Sequence, residues 1–134
     1  ADDTANWDGA QATTKMTQWI KNFGDKIEVV FSNNDAMALG ALSALDNLNV
    51  TEDRPLIVGI DGLPDALKAV KNGSMAGTVI NDSKAQADSI FNMAYTLAVN
   101  GNVSTIKGVE RGKYIRASHT KVTQENVDSF IQDK

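Results

Sequence analysis

Hydrophobic and polar positions follow one another along the chain in blocks of strand length and of helix length. The clearest series begins with the apolar run 27–31, continues through the polar residues 32–35, and enters the alanine- and leucine-rich stretch 36–48. A short apolar run that ends in polar residues is typical of a buried strand, whereas the longer stretch is typical of a helix. The pattern therefore predicts a strand, a turn and a helix.

The same series occurs twice more. Strands are predicted at 56–60 and 76–80, each followed by a helix, at 64–71 and at about 84–99, and an amphipathic helix at about 9–23 precedes the first strand. Strands that alternate with helices in this way indicate a parallel sheet with right-handed crossovers. We expect an α/β fold in which helices flank a parallel sheet.

The C-terminal part has a different pattern. Residues 107–118 are mixed in polarity and predict an extended strand that runs away from the compact sheet. Residues 123–131 predict a short helix. The two tryptophans also differ. Trp19 belongs to the apolar stripe of the first helix and is predicted to be core, whereas Trp7 lies outside any stripe and is free to be exposed.

Composition and charge exclude several classes of function. The chain has 134 residues, enough for one modest domain, and its net charge of −4 gives no basic surface for nucleic acid. No apolar run is long enough to insert into a membrane. The absence of cysteine excludes disulfides and thiol catalysis. No signal peptide begins the chain, so we expect that it was removed or that the chain starts inside a longer protein.

Polar side chains follow all three predicted strands, at Asn34-Asp35, at Asp61 and at Asn81-Asp82. Because the carboxyl ends of parallel strands meet at one edge of a sheet, we expect these side chains to converge on a crevice. Carboxylates and amides together offer the donors and acceptors that vicinal hydroxyls need. Each position also has a simpler interpretation as a helix cap or a turn residue, and this alternative stays open.

Catalytic motifs are missing from the sequence. The glycines follow neither the dinucleotide nor the P-loop spacing, and Ser32 is not part of a nucleophile elbow. We therefore expect a binding protein and not an enzyme. An α/β enzyme remains a weaker hypothesis, since carboxylates at strand ends have no nucleophile or base beside them.

Segments 28–30, 33–38, 59–64 and 76–82 closely resemble the periplasmic galactose/glucose-binding protein family of bacterial ABC transport and chemotaxis. The resemblance runs through the whole chain but covers only the C-terminal part of that family. It implies a portion of a two-lobed, type I periplasmic binding protein fold with sugar bound between the lobes.

The resemblance also divides the chain between the two lobes. Residues 1–80 would belong to the C-terminal, sugar-binding lobe, residues 81–114 to the N-terminal lobe, and residues 115–134 to the return crossover and the final helix of the C-terminal lobe. The helix predicted at about 84–99 would then belong to the N-terminal lobe. Without the rest of that lobe it would expose Ile90, Phe91 and Leu97.

Site residues follow from the same resemblance. It implies that Trp7 stacks on the pyranose ring and that Asn34, Asp61 and Asn81 form hydrogen bonds with its hydroxyls. Asp35, beside Asn34, is expected to cap and orient. Glu28 matches a ligand of the family's Ca²⁺ site. The loop that supplies the other ligands is not in this chain, so we expect no Ca²⁺ to be bound by the chain alone.

The partners implied are a monosaccharide, glucose or galactose, and an ABC permease and a chemoreceptor that recognise the closed protein in the periplasm. The missing N-terminal half could be present as a separate chain. The alternative function is the effector-binding lobe of a sugar-responsive transcription regulator, since such regulators share the two-lobed fold.

Overall fold

The computed structural model describes residues 1–131. Its helices and strands are, in chain order, α1 (Gly9–Phe23), β1 (Val29–Phe31), α2 (Asp35–Asn47), β2 (Leu56–Val58), α3 (Pro64–Lys71), β3 (Thr78–Asn81), α4 (Ser83–Asn100) and β4 (His119–Val122). Short 3-10 helices lie at Gly24–Lys26 and Val127–Ser129. The predicted α/β class is confirmed.

The first three strands form a parallel arrangement. β1 and β2 pair in parallel, with Val30 opposite Ile57. Parallel bridges from Val58 to Gly77 and from Asp61 to Ile80 connect the β2 segment to the β3 segment. β3 in turn pairs with β4. The helices α2 and α3 make the crossovers, as expected for parallel neighbours.

Contacts within the chain define two compact units. Among the described residues, unit one comprises 1–80 and 120–131, and unit two comprises Asn81–His119. The resemblance predicts three lobe segments, at 1–80, 81–114 and 115–134. The assignment of these segments to the lobes of a binding protein stays a prediction.

The core of unit one lies on one face of the sheet. Val30 and Ile57 point into it, and Trp19 is partly buried against it, as predicted. Val29, Phe31 and Leu56 alternate with those two residues and are exposed, Phe31 to 83%. Alternate residues of a strand point to opposite faces. One face of the β1–β2 pair is therefore covered and the other is open to solvent.

Helices α1 and α2 approach each other closely because two glycines lie between them. A Cβ atom at Gly40 would come within 2.2 Å of the carbonyl oxygen of Gly9, and one at Gly9 within 2.9 Å of the carbonyl oxygen of Ala36. The hydroxyl of Thr13 donates to the carbonyl of Gly40 at 2.9 Å. The start of α1 is thus placed against the first turns of α2.

Unit two is built around α4. The predicted exposure of Ile90, Phe91 and Leu97 on this helix is confirmed. Phe91 and Tyr95 stack on each other with their ring centroids 6.1 Å apart. Within residues 1–131, no helix combines the length and the apolar character needed to cross a membrane.

The prediction of an extended strand at 107–118 is wrong. Residues 111–113 form a turn that is closed by an antiparallel bridge between Glu110 and Tyr114. Arg111 and Gly112 both have positive φ, at 51° and 68°, a conformation suited to tight turns and not to strands. The extended segment is instead β4, at His119–Val122.

The predicted helix at 123–131 is reduced to the 3-10 helix Val127–Ser129. A turn at residues 124–126 precedes it. The side-chain oxygen of Asn126 accepts from the backbone N–H of Thr123 at 2.9 Å, and its amide donates to the carbonyl of Lys121 at 3.0 Å. Val127 is nevertheless buried in the core of unit one.

We predict that Gly40→Ala destabilises the chain. The added methyl group meets the Gly9 carbonyl, so α1 must shift, and overpacking of this kind costs about 1–3 kcal/mol. Urea unfolding measures the loss. Ser43→Ala is the matched control, since Ser43 is an exposed residue of the same helix. Equal stability of the two variants would contradict the close packing of α1 on α2.

Candidate functional site

Asn34 lies at the junction of β1 and α2 and is only 8% exposed. Its backbone is extended, at φ −154° and ψ 166°, and its Oδ1 atom accepts from the backbone N–H of Met37 at 2.9 Å. Asn34 is therefore the N-cap of α2, and the expectation that Asp35 provides the cap is wrong. The Nδ2 group of Asn34 forms no hydrogen bond with the described residues, which leaves a donor for a ligand.

Asp35 is fully buried, at 0% exposure. Its Oδ2 atom accepts from the backbone N–H groups of Gly62 and Leu63, both at 2.8 Å, and its Oδ1 atom accepts from the hydroxyl of Thr78 at 2.7 Å. One side chain therefore connects the start of α2 to the turn after β2 and to β3. This corrects the expected role of Asp35 from a cap to a long-range connection.

Asp61 occupies the turn that Asp35 holds. Its φ of 127° lies in a region that favours glycine, so the backbone is strained. Its N–H donates to the carbonyl of Val79 at 2.9 Å, whereas its carboxylate accepts no hydrogen bond from residues 1–131. The side chain is partly buried. A carboxylate with unused acceptor sites is thus kept at the sheet edge.

The electrostatics of this edge act on Asp61. Burial raises the pKa of its carboxyl above the ordinary value, and the nearby negative charge of Asp35 raises that pKa further. Both effects disfavour the ionised form. An unpaired, partly buried carboxylate of this kind is common at functional sites.

Trp7 is exposed to 67%, as predicted, and it is placed by a tight turn. Asn6 and Trp7 have positive φ, at 50° and 62°. Asp8 caps α1 by accepting from the N–H of Gln11 at 2.8 Å, and the amide of Asn6 donates to the side chain of the same glutamine at 3.0 Å. The indole is thus presented to solvent two residues before α1 packs against α2.

Asn81 and Glu28 are the two remaining residues predicted at the site. Asn81 ends β3 and belongs to unit two, where its Oδ1 atom accepts from Gln86. Glu28 is exposed just before β1. Within the described part of the chain, no three acidic or histidine side chains are grouped to hold a metal ion. Glu28 alone does not fit a Ca²⁺ site, which needs six to eight oxygen ligands.

Two residues of this edge were missed by the reading of the sequence. Thr78 is the buried hydroxyl that binds Asp35, and Gly59 leaves the space that Asp35 fills, because a Cβ atom there would lie 2.2 Å from Oδ1 of Asp35. A polar residue in the otherwise apolar run 76–80 was the available signal for Thr78. Nothing in the local sequence identified Gly59.

Comparisons with known proteins agree with this architecture. A sequence profile of the family described as Periplasmic binding protein domain matches residues 1–102. The chain belongs to this family. As a periplasmic binding protein domain, it has the type I fold in part, with the sheet and helices that the resemblance implied.

Curated relatives include the D-galactose/methyl-galactoside binding periplasmic protein of Haemophilus influenzae, 34% identical over 132 residues, with 97% of this chain and 39% of that protein covered. A xylitol-binding protein of Mycolicibacterium smegmatis is 37% identical over 132 residues, with 98% of this chain and 35% of that protein covered. The chain thus spans less than two fifths of the length of these two relatives.

Among solved structures, an ABC transporter solute binding protein from Bacillus halodurans with bound myo-inositol has a TM-score of 0.80 at 32% identity, covering 96% of this chain and 41% of that one. The myo-inositol binding protein of Caulobacter also has a TM-score of 0.80, at 25% identity, covering 94% and 40%. The ligands named for these relatives differ, but all of them carry several hydroxyl groups.

The raised pKa of Asp61 predicts the effect of Asp61→Asn on stability. At pH 7 ionisation of this carboxyl favours the unfolded state, so the uncharged asparagine should increase the free energy of unfolding. Below the ordinary value of 3.8 the aspartate is protonated in both states, and the gain should disappear. Urea unfolding at pH 7 and pH 3 measures both effects.

Asp65→Asn is the control for this prediction. Asp65 lies on α3 with its side chain 76% exposed, in an ion pair with Lys68, and its substitution should give no gain at either pH. If Asp61→Asn is less stable than the parent chain at pH 7, the inferred electrostatics of the site are contradicted.

Proposed function

We propose that this chain supplies one wall of a binding site for a small polyhydroxylated ligand, in the solute-binding component of an ABC transporter. The observation that carries the proposal is the Asp61 carboxylate, which is partly buried at the ends of the parallel strands and has no partner among the residues that the structure describes. The relatives, all named as binding proteins, support transport over regulation of transcription.

The chemistry of the edge fits hydroxyl groups. A hydroxyl donates one hydrogen bond and accepts others, so it can donate to the carboxylate of Asp61 and accept from the free amide of Asn34. Bonds to an ionised acceptor are the stronger ones. Asp61 is therefore assigned the larger share of the affinity, and Asn34 the smaller share.

D-Galactose or D-glucose is the proposed ligand, on the basis of the resemblance and of the galactoside named for the Haemophilus relative. Trp7 is proposed to stack on the sugar ring, which its exposure allows, and Asn81 to donate or accept at a further hydroxyl. The proposed location is the periplasm, and the proposed partners are an ABC permease and a chemoreceptor. For the intact polypeptide, Glu28 remains a proposed distant ligand of Ca²⁺.

Calorimetry on the intact polypeptide that carries this chain tests the proposal. The ligand panel is D-galactose, D-glucose, D-ribose, xylitol and myo-inositol, and we expect the strongest binding for one of the two hexoses. Because a hydrogen bond to a charged group contributes about 1.5–3 kcal/mol, Asp61→Ala should weaken binding by about 10- to 100-fold.

Asp65→Ala is the matched control, since this exposed aspartate lies only four positions further along the chain, and it should bind like the parent. The proposal fails if no compound of the panel binds, or if Asp61→Ala binds as tightly as Asp65→Ala. Preferential binding of xylitol or myo-inositol would keep the polyhydroxyl site and overturn the choice of hexose.

Tryptophan fluorescence tests the stacking role of Trp7 separately. In the Trp19→Phe variant Trp7 is the reporter within this chain, and ligand should shift its emission to shorter wavelength because the exposed indole becomes covered. In the Trp7→Phe variant the remaining Trp19, which packs against the core, should report no such shift. A shift that survives Trp7→Phe and disappears in Trp19→Phe would contradict the assignment.

A further inference from the structure

Asp35 is a buried carboxylate without a cation. It takes part in no ion pair within the described residues, and its three hydrogen bonds all come from neutral donors, the N–H groups of Gly62 and Leu63 and the hydroxyl of Thr78. Burying a charge is unfavourable unless it is well compensated. A role beyond filling space is therefore expected for this side chain.

We propose that Asp35 is a positioning residue that fixes the turn of Asp61, Gly62 and Leu63, so that the carboxylate of Asp61 faces the ligand. The inference rests on the proposed function. Asp35 itself does not touch the ligand, because it is 0% exposed and both of its carboxylate oxygens accept from the protein.

The geometry of the turn explains how the positioning works. Two successive N–H groups point at one oxygen atom of Asp35, and this requires the unusual backbone of the turn, with φ of 127° at Asp61 and 77° at Gly62. A non-glycine residue held in such a region is strained. The two bonds to Asp35 offset that strain, and without them Asp61 is free to relax towards ordinary backbone angles.

The position of Asp35 is itself fixed from the other side. Thr78 donates to Oδ1 at 2.7 Å, and the missing side chain of Gly59 leaves the space for that oxygen. The carboxylate therefore has one orientation, in which Oδ1 faces β3 and Oδ2 faces the turn. The ligand-facing aspartate is placed by a residue 26 positions earlier in the chain.

Charge supplies a second link between the two aspartates. Asp35 adds to the effect of burial in raising the pKa of Asp61. The residues that face this turn from β3, Thr78 and Ile80, are uncharged, as are Gly62 and Leu63 beside it. Removing the charge of Asp35 should therefore lower the pH at which Asp61 becomes protonated.

The first test is Asp35→Asn, studied by calorimetry with D-galactose and D-glucose and by NMR titration of the Asp61 carboxyl carbon. We expect at least a tenfold loss of affinity at pH 7, about the effect of one charged hydrogen bond. We also expect the Asp61 titration, and the loss of binding on acidification, to move to lower pH. A residue with only a structural role would not move the titration.

The second test leaves Asp35 intact and removes one of its donors. Thr78→Val keeps the branched shape of the side chain but deletes the hydroxyl that donates to Oδ1 of Asp35. Thr78→Ser is the control, since it keeps the hydroxyl and loses only a methyl group. We expect Thr78→Val to bind about tenfold more weakly than Thr78→Ser, with the titration of Asp61 still at the parent pH.

These variants separate the possible outcomes. Parent-like affinity and titration in folded Asp35→Asn, or equal affinity of the two Thr78 variants, overturns the positioning role while Asp61→Ala still reports on the proposed function. If Asp35→Asn does not fold, the Thr78 pair decides. If the parent binds no compound of the ligand panel, the proposed function fails and the positioning role with it, whereas the NMR titration still measures the coupling of the two aspartates. If the parent binds only another polyol of the panel, that polyol replaces the hexoses in both tests.

Discussion

The buried carboxylate of Asp35 connects three parts of the chain that are far apart in sequence: the start of α2, the turn after β2, and β3. Its hydrogen bonds span 27 to 43 residues, so they form only when the parallel strands are in register. Removing the acceptor would break the partly buried hydrogen bonds from the N–H groups of Gly62 and Leu63, at about 1 kcal/mol for each hydrogen bond. The shape of the sheet edge therefore depends on this one side chain.

The division of roles between neighbours follows from this constraint. Asn34 caps α2 with its oxygen, Asp35 faces inwards, and Asp61 lies in a strained turn. Within residues 1–131, the amide of Asn34 and the carboxylate of Asp61 have no hydrogen-bond partner. Because the pKa of Asp61 is raised in the folded state, ionisation of its carboxyl at neutral pH disfavours folding. Such local conflict is expected where a protein keeps groups ready for a ligand.

Local signals predicted much of the fold. The predicted helix at 64–71 matches α3, Pro64–Lys71, and the apolar runs located the three parallel strands. The expectation that Asp35 caps α2 was wrong, because its carboxylate accepts instead from Gly62, Leu63 and Thr78, which only the folded chain brings near. The helix expected at 123–131 is shorter in the structure, at Val127–Ser129. The sugar-contact roles of Trp7, Asn34, Asp61 and Asn81 stay predictions.

A crystal structure of the intact polypeptide with D-galactose or D-glucose tests the central claim most directly. The account predicts a sugar hydroxyl within hydrogen-bond distance of the Asp61 carboxylate, with Asp35 still bound to Gly62, Leu63 and Thr78 and out of contact with the sugar. A sugar bound away from Asp61, or held by Asp35 directly, would contradict it.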